Sequence, residues 1–125
     1  MPRLLFCIHY VTVNLLMKYK NTLQRGSFRY IIFREDNVWY GVCLEFNIVE
    51  SGDTPQEAML LLFEAAQGYL ESAKKIKARS NILNQKSDPE YENLWRNLQE
   101  AKRQKKELES VYSYGQALIP QAMRG

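Results

Sequence analysis

The sequence predicts an α+β fold: a small antiparallel sheet of three to four strands packed on one main helix, with a second helix near the C-terminus. Three observations lead there. Two aromatic and β-branched runs flank the turn residues Glu35-Asp36-Asn37, the pattern of a hairpin. At Thr54-Pro55 the apolar period changes from that of a strand to that of a helix. At Asp88-Pro89 a second helix start occurs, and Val111–Ile119 returns to strand character.

Each element follows from its residues. Phe28–Arg34 is the first strand and Val38–Cys43 the returning one, with Gly41 marking a bulge or a close backbone approach. Leu44–Glu50 is expected as a third strand that stops at Ser51-Gly52. The junction that follows is rich in helix-start chemistry. Thr54 suits the N-cap, Pro55 the first helical position, and Glu57 the reciprocal carboxylate of a capping box. Gly52 leaves room in the turn entering the cap.

The helix from Pro55 carries a stripe of Ala58, Leu61, Leu62, Ala65 and Tyr69, widened by Met59, Phe63, Ala66 and Leu70. So broad an apolar face predicts cover on two sides or a place in an oligomer interface, with Leu61, Leu62, Phe63 and Tyr69 as its residues. Residues 76–87 are polar and read as a linker. Residues 88–109 read as the second helix, with the narrower stripe Tyr91, Leu94, Trp95, Leu98 and Ala101, and 110–119 as an additional strand.

The first 16 residues stand apart. Leu4–Leu16 behind Arg3 has the outline of a signal-peptide core, but no small-x-small cleavage site follows and the run is too short to span a bilayer. The domain, 17–75 in its core, needs nothing before Met17, which makes Met17 the expected start; an extra packed strand or helix is the alternative.

Composition narrows the function. A chain of 125 residues with net charge +3 is one ordinary globular domain and calls for no nucleic-acid partner by charge alone. Cys7 and Cys43 match no metal or disulfide spacing, which fits reduced thiols in the cytoplasm. His9 is the single histidine, so a histidine-based catalytic site would rest wholly on it. No phosphate-binding glycine loop occurs. The carboxylate pairs Glu35-Asp36, Glu45 with Glu50, and Glu90 with Glu92 read as turn, strand-face and first-turn charges. No enzyme activity, metal or cofactor is expected. Lys74, Lys75, Lys77 and Arg79 after the first helix, and Lys102, Arg103, Lys105 and Lys106 after the second, sit where helix C-termini favour cations; neither run is interleaved with aromatics as a single-strand binder requires.

The stretch from Val38 to Ala58, with the continuation Leu62-Phe63-Glu64-Ala65-Ala66-Gln67-Gly68-Tyr69-Leu70-Glu71, resembles the HicB-like family. That family combines a strand ending in tyrosine, a Cys- or Pro-x-Glu-Leu-like segment, a Gly-Asp-Thr turn and a Glu-Ala helix start. Here these are Tyr40, Cys43-Leu44-Glu45-Phe46, Gly52-Asp53-Thr54 and Glu57-Ala58. The match covers Phe28 to Ser72, about a third of the chain.

The resemblance implies a β-β-β-α-β domain, a partial ribonuclease-H-like fold without catalytic carboxylates. It implies an antitoxin that binds and neutralises a small HicA-type mRNA-cleaving toxin, and a tendency to homo-oligomerise. On that expectation Glu45, Glu50 and Asp53 are the acidic partner contacts, with Trp39 and Tyr40 as aromatic anchors. An orphan oligomeric scaffold without a toxin and a DNA-binding transcriptional regulator are the alternatives. Many family members also carry a C-terminal helix-turn-helix or ribbon-helix-helix, and the C-terminal part of this chain shows neither pattern.

Overall fold

In the computed structural model, which describes residues 21–119, the sheet is built around β1 (Ser27–Glu35). The expectations placed on residues 1–16, on Met17 and on Cys7 and His9 fall outside the described residues. β1 pairs antiparallel with β2 (Val38–Cys43) on one side and with β4 (Val111–Leu118) on the other; β2 pairs antiparallel with β3 (Ile48–Gly52). The order across the four-stranded sheet is β3-β2-β1-β4. Helix α1 (Pro55–Lys75) covers one face and α2 (Pro89–Arg103) the other, so the molecule has three layers.

Glu35 pairs with Val38, leaving Asp36 and Asn37 as a two-residue hairpin loop, and both have positive φ (53° and 67°). That is the type I′ geometry whose twist matches the strands, and Asp and Asn tolerate it best after glycine.

The third strand is shorter than the composition predicts. Leu44–Asn47 forms a turn, with Asn47 at φ 55° and its N–H donating to the Leu44 carbonyl, and pairing resumes at Ile48. The apolar run persists through this turn because Leu44 (0% exposed) and Phe46 (2%) anchor it into opposite layers.

Strand alternation sorts β1 and β2 between the layers. Phe28, Ile32 and Cys43 pack with Ala58, Leu62, Ala66 and Leu70 of α1, while Ile31, Phe33 and Val42 pack with Leu98 of α2. Gly41 marks a close approach: a Cβ there would lie 2.9 Å from the Ala58 carbonyl oxygen and 3.0 Å from Leu62 Cβ. The register shift in β1 lies instead between Ile32 and Phe33, opposite β4.

The α1 start follows the capping-box expectation with one change. Thr54 Oγ1 accepts the Glu57 N–H at 3.0 Å, but Glu57 Oε1 accepts from Asp53 N at 2.9 Å, one residue before the cap. Gly52 permits this, since a Cβ there would meet Glu57 Oε1 and Ala58 N at 2.9 Å. Both helices end alike: Lys77 and Lys105 take left-handed φ (53° and 58°), and Ala78 and Lys106 N–H groups reach back to the Ala73 and Ala101 carbonyls. These are Schellman motifs, and they place the basic runs at helix C-termini.

Residues 76–87, read as a linker, are tied down. A short 3₁₀ turn, Ser80–Leu83, inserts Leu83 (0% exposed) beneath α1. Asn84 and Asn21 exchange hydrogen bonds, and Asn21 Nδ2 donates to the Leu83 carbonyl at 2.8 Å. α2 stops at Arg103, six residues short of the expected Glu109.

Candidate functional site

The five residues expected to meet a partner do not form one patch. Trp39 and Tyr40 are consecutive in β2 and therefore face opposite layers. Tyr40 stacks on Phe33 with ring centroids 5.7 Å apart, on the α2 side. Trp39, on the α1 side, stands edge-on to Tyr112 at 6.2 Å, with the Arg34 guanidinium 5.6 Å above its ring.

Glu45 is committed inside the molecule. Its carboxylate accepts the Arg29 backbone N–H at 2.6 Å and the Arg29 Nε–H at 2.7 Å. The same guanidinium holds Glu92 of α2 in a bidentate pair at 2.9 and 2.8 Å, and Ser87 Oγ also donates to Glu92. Burial opposes the Arg29 charge, but the hydrogen bonds to Glu92 and Glu45 outweigh it and raise its pKa. Hydrogen bonding from Arg29 likewise holds Glu92 below the usual carboxylate range. This cluster clamps α2 to the sheet.

Glu50 lies opposite Gly41 on the α1 side and is half-buried, whereas Asp53 is exposed at the α1 start. Of the three acidic contacts expected, Asp53 alone is fully on the surface.

The residues expected for oligomer contacts are largely used within the protomer. Leu62 is wholly buried against the sheet. Phe63 packs on Tyr30 at 5.1 Å, and Tyr69 stacks on Phe46 at 5.2 Å while its hydroxyl donates to the Ile82 carbonyl. Leu61 is half-buried, and the exposed large side chain of α1 is Leu60, at 59%. The second cover that the broad stripe demanded comes from residues 78–83 of the same chain.

One end of the sheet gathers surface chemistry that sequence order disperses. The hairpin tip supplies Glu35 and Asp36, and the first turn of α2 brings Glu90 and Tyr91 beside them and Tyr40. Tyr91 packs on Phe33 at 6.2 Å. Burial raises the Tyr91 pKa first, and the charges of Glu90, Asp88 and Glu35 raise it further, so the hydroxyl stays protonated in a negative field. Because Gly52 pairs with Trp39, Asp53 stands at the same end.

In the sequence Glu35 and Asp36 stand as turn residues and Glu90 as a first-turn helix charge, and no motif marks Arg34 or Tyr112. Strand parity, which sets Tyr40 on the face that receives the α2 stripe, was the available signal. The spatial meeting of Glu35 with Glu90 was not in it.

Cys43 is wholly buried, and desolvation pushes its thiol up to about 12, which leaves no thiolate for nucleophilic chemistry at neutral pH. Among the described residues no group of three His, Cys, Asp or Glu side chains is arranged to hold a metal ion, and no helix is long and apolar enough to cross a membrane.

Comparison with protein-family models, with curated proteins and with solved structures returned no match to this chain.

Proposed function

We propose that this chain is a cytoplasmic binding module of the HicB-like antitoxin kind, which neutralises a small HicA-type mRNA-cleaving toxin by covering its RNA-binding face. The observation that carries the reading is the acidic, aromatic groove at one end of the sheet, formed by Glu35, Asp36 and Glu90 with Tyr40 and Tyr91; Asp53 stands at the same end, at the start of α1. A surface that binds RNA is basic, and an acidic face with rigid aromatic anchors complements it in charge and excludes the nucleic acid. The motif resemblance from Tyr40 to Ala58 supports the same reading.

Co-expression tests it. A short basic protein encoded next to this gene should arrest growth alone, growth should be restored with this chain, and the two should co-elute on a sizing column. Arrest without relief, and no shared peak, sinks the proposal.

A second reading, a homo-oligomeric scaffold without a toxin, is favoured by β4. This edge strand carries no charged residue from Val111 to Leu118, and Leu118 is 78% exposed. A monomer at micromolar concentration would overturn it. A DNA-binding regulator finds less support, because the basic runs are accounted for by the two Schellman caps.

A further inference from the structure

Between the α2 flank and the β1–β2 hairpin runs a two-lobed groove. The larger lobe, about 410 Å³, has Phe33, Tyr91 and Leu94 as its apolar lining, with Asn93 and Asn97 on the helix side. The smaller, about 300 Å³, is formed by Tyr40 and Tyr91 with Glu35, Asp36 and Glu90 around them. Phe33, Glu35, Glu90 and Tyr91 line both, so the lobes are continuous. Among the described residues, no ion pair or side-chain hydrogen bond engages the Glu35, Asp36 or Glu90 carboxylates. Arg34 lines the larger lobe, yet its guanidinium lies over Trp39 on the opposite side of the sheet.

Three carboxylates beside the Tyr40 ring, which stacks on Phe33, and the Tyr91 ring, which is tilted against Phe33, repel an anion and suit a planar cation. The guanidinium fits best, since it lies flat on a tyrosine face while its N–H groups reach carboxylates at the rim. The apolar lobe next door adds a requirement that a free cation does not meet: the cation must be attached to hydrophobic residues.

We infer that this groove is the docking site for a basic protein segment, in which one arginine enters between Tyr40, Tyr91, Glu35 and Glu90 and the adjoining apolar side chains lie on Phe33 and Leu94. The inference rests on the reading above in taking the partner to be basic. It moves the contact from Glu45, which the Arg29–Glu92 cluster engages, and from Glu50, on the α1 side, to the hairpin tip and the first turn of α2. Binding here engages α2 directly, so a docked partner also holds that helix against the sheet.

The test uses the full-length protein and a short fluorescein-labelled peptide bearing one arginine flanked by leucines, read by anisotropy. Expected is saturable binding that weakens about tenfold or more when Glu35→Gln and Glu90→Gln are combined, when citrulline replaces the arginine, and as salt is raised. Leu94→Asn should weaken it as well, and Glu64→Gln, on the exposed side of α1, should not. Thermal melts confirm that the variants fold. Equal binding to wild type and the double variant overturns the inference, as does no binding to wild type. A dimer that the double variant abolishes, with no peptide bound, also overturns it and makes a second copy the occupant. The two proposals fail separately: a toxin complex that survives in the double variant removes the groove and keeps the antitoxin, whereas peptide binding with no toxin relief does the reverse.

Discussion

On the α1 face of the sheet, Ala58, Leu62, Ala66, Leu70 and Ala73 are all at most 3% exposed, whereas α2 fully buries only Leu98 on the other. The α1 contact is continuous and apolar, and it comes close enough that Gly41 has no room for a side chain. The α2 contact is narrower. Tyr91, Leu94 and Trp95 are half-buried, and the remainder of the attachment is polar: Arg29 bridging Glu45 and Glu92, with its guanidinium 5.6 Å from the Trp95 ring. Non-directional burial holds α1, while a geometrically specific ion cluster sets where α2 lies. The layer that carries the proposed partner groove is therefore the one with less apolar burial, which is where local opening is expected first.

The contrast is broken most severely at Leu62. Leu62→Ala should destabilise the whole domain by about 2–5 kcal/mol, seen as a single lower unfolding transition, because it opens a cavity in the continuous layer. A loss under 1 kcal/mol would show that the α1 layer collapses to fill the space. Arg29→Met comes next, at about 2–3 kcal/mol, below the range for fully buried pairs because the side chain is 24% exposed. Its signature should be local: amide hydrogen exchange accelerates in α2 before α1. Uniform acceleration would mean that the two faces are one cooperative unit.

Removing the Thr54 hydroxyl with Thr54→Ala should cost about 1 kcal/mol and fray only the first turn of α1, as measured by denaturant midpoint and by exchange at residues 55–58. The smallest effect is the pH dependence of the clamp. Hydrogen bonding from Arg29 holds Glu92 below the ordinary carboxylate range, so its contribution is fully present above the unfolded pKa and is lost as pH falls through the lower folded pKa. Acidification should thus release α2 ahead of α1. Glu92→Gln should abolish that step; an unchanged acid profile in this variant would assign it to another carboxylate.

Much of the fold was legible because its signals are local. The turn residues Asp36 and Asn37, the Thr54-Pro55 and Asp88-Pro89 starts and the change of period at Pro55 all act within a few residues of themselves. Two local readings failed for the same reason. The apolar run at Leu44–Phe46 has the composition of a strand but forms an anchored turn, and the polar run at 76–87 has the composition of a linker but is bound to Asn21 through Leu83 and Asn84. Composition reports that a side chain will be buried, not in which conformation or against which distant residue. The candidate site was less legible still. Trp39 and Tyr40 are adjacent in sequence, but strand parity divides them, and Glu45 is consumed by an arginine 16 positions earlier.

The amino-acid sequence by itself determined the class of fold, the element order and the residues that begin each helix, since caps, turns and periodicity are written in short spans of chain. Only the tertiary structure decided that α1 and α2 lie on opposite faces, that Glu45 is internal, and that Glu35, Asp36 and Glu90 share one groove. Those outcomes depend on which face of a strand each helix reaches, a long-range packing choice that the local chemistry of neither partner specifies.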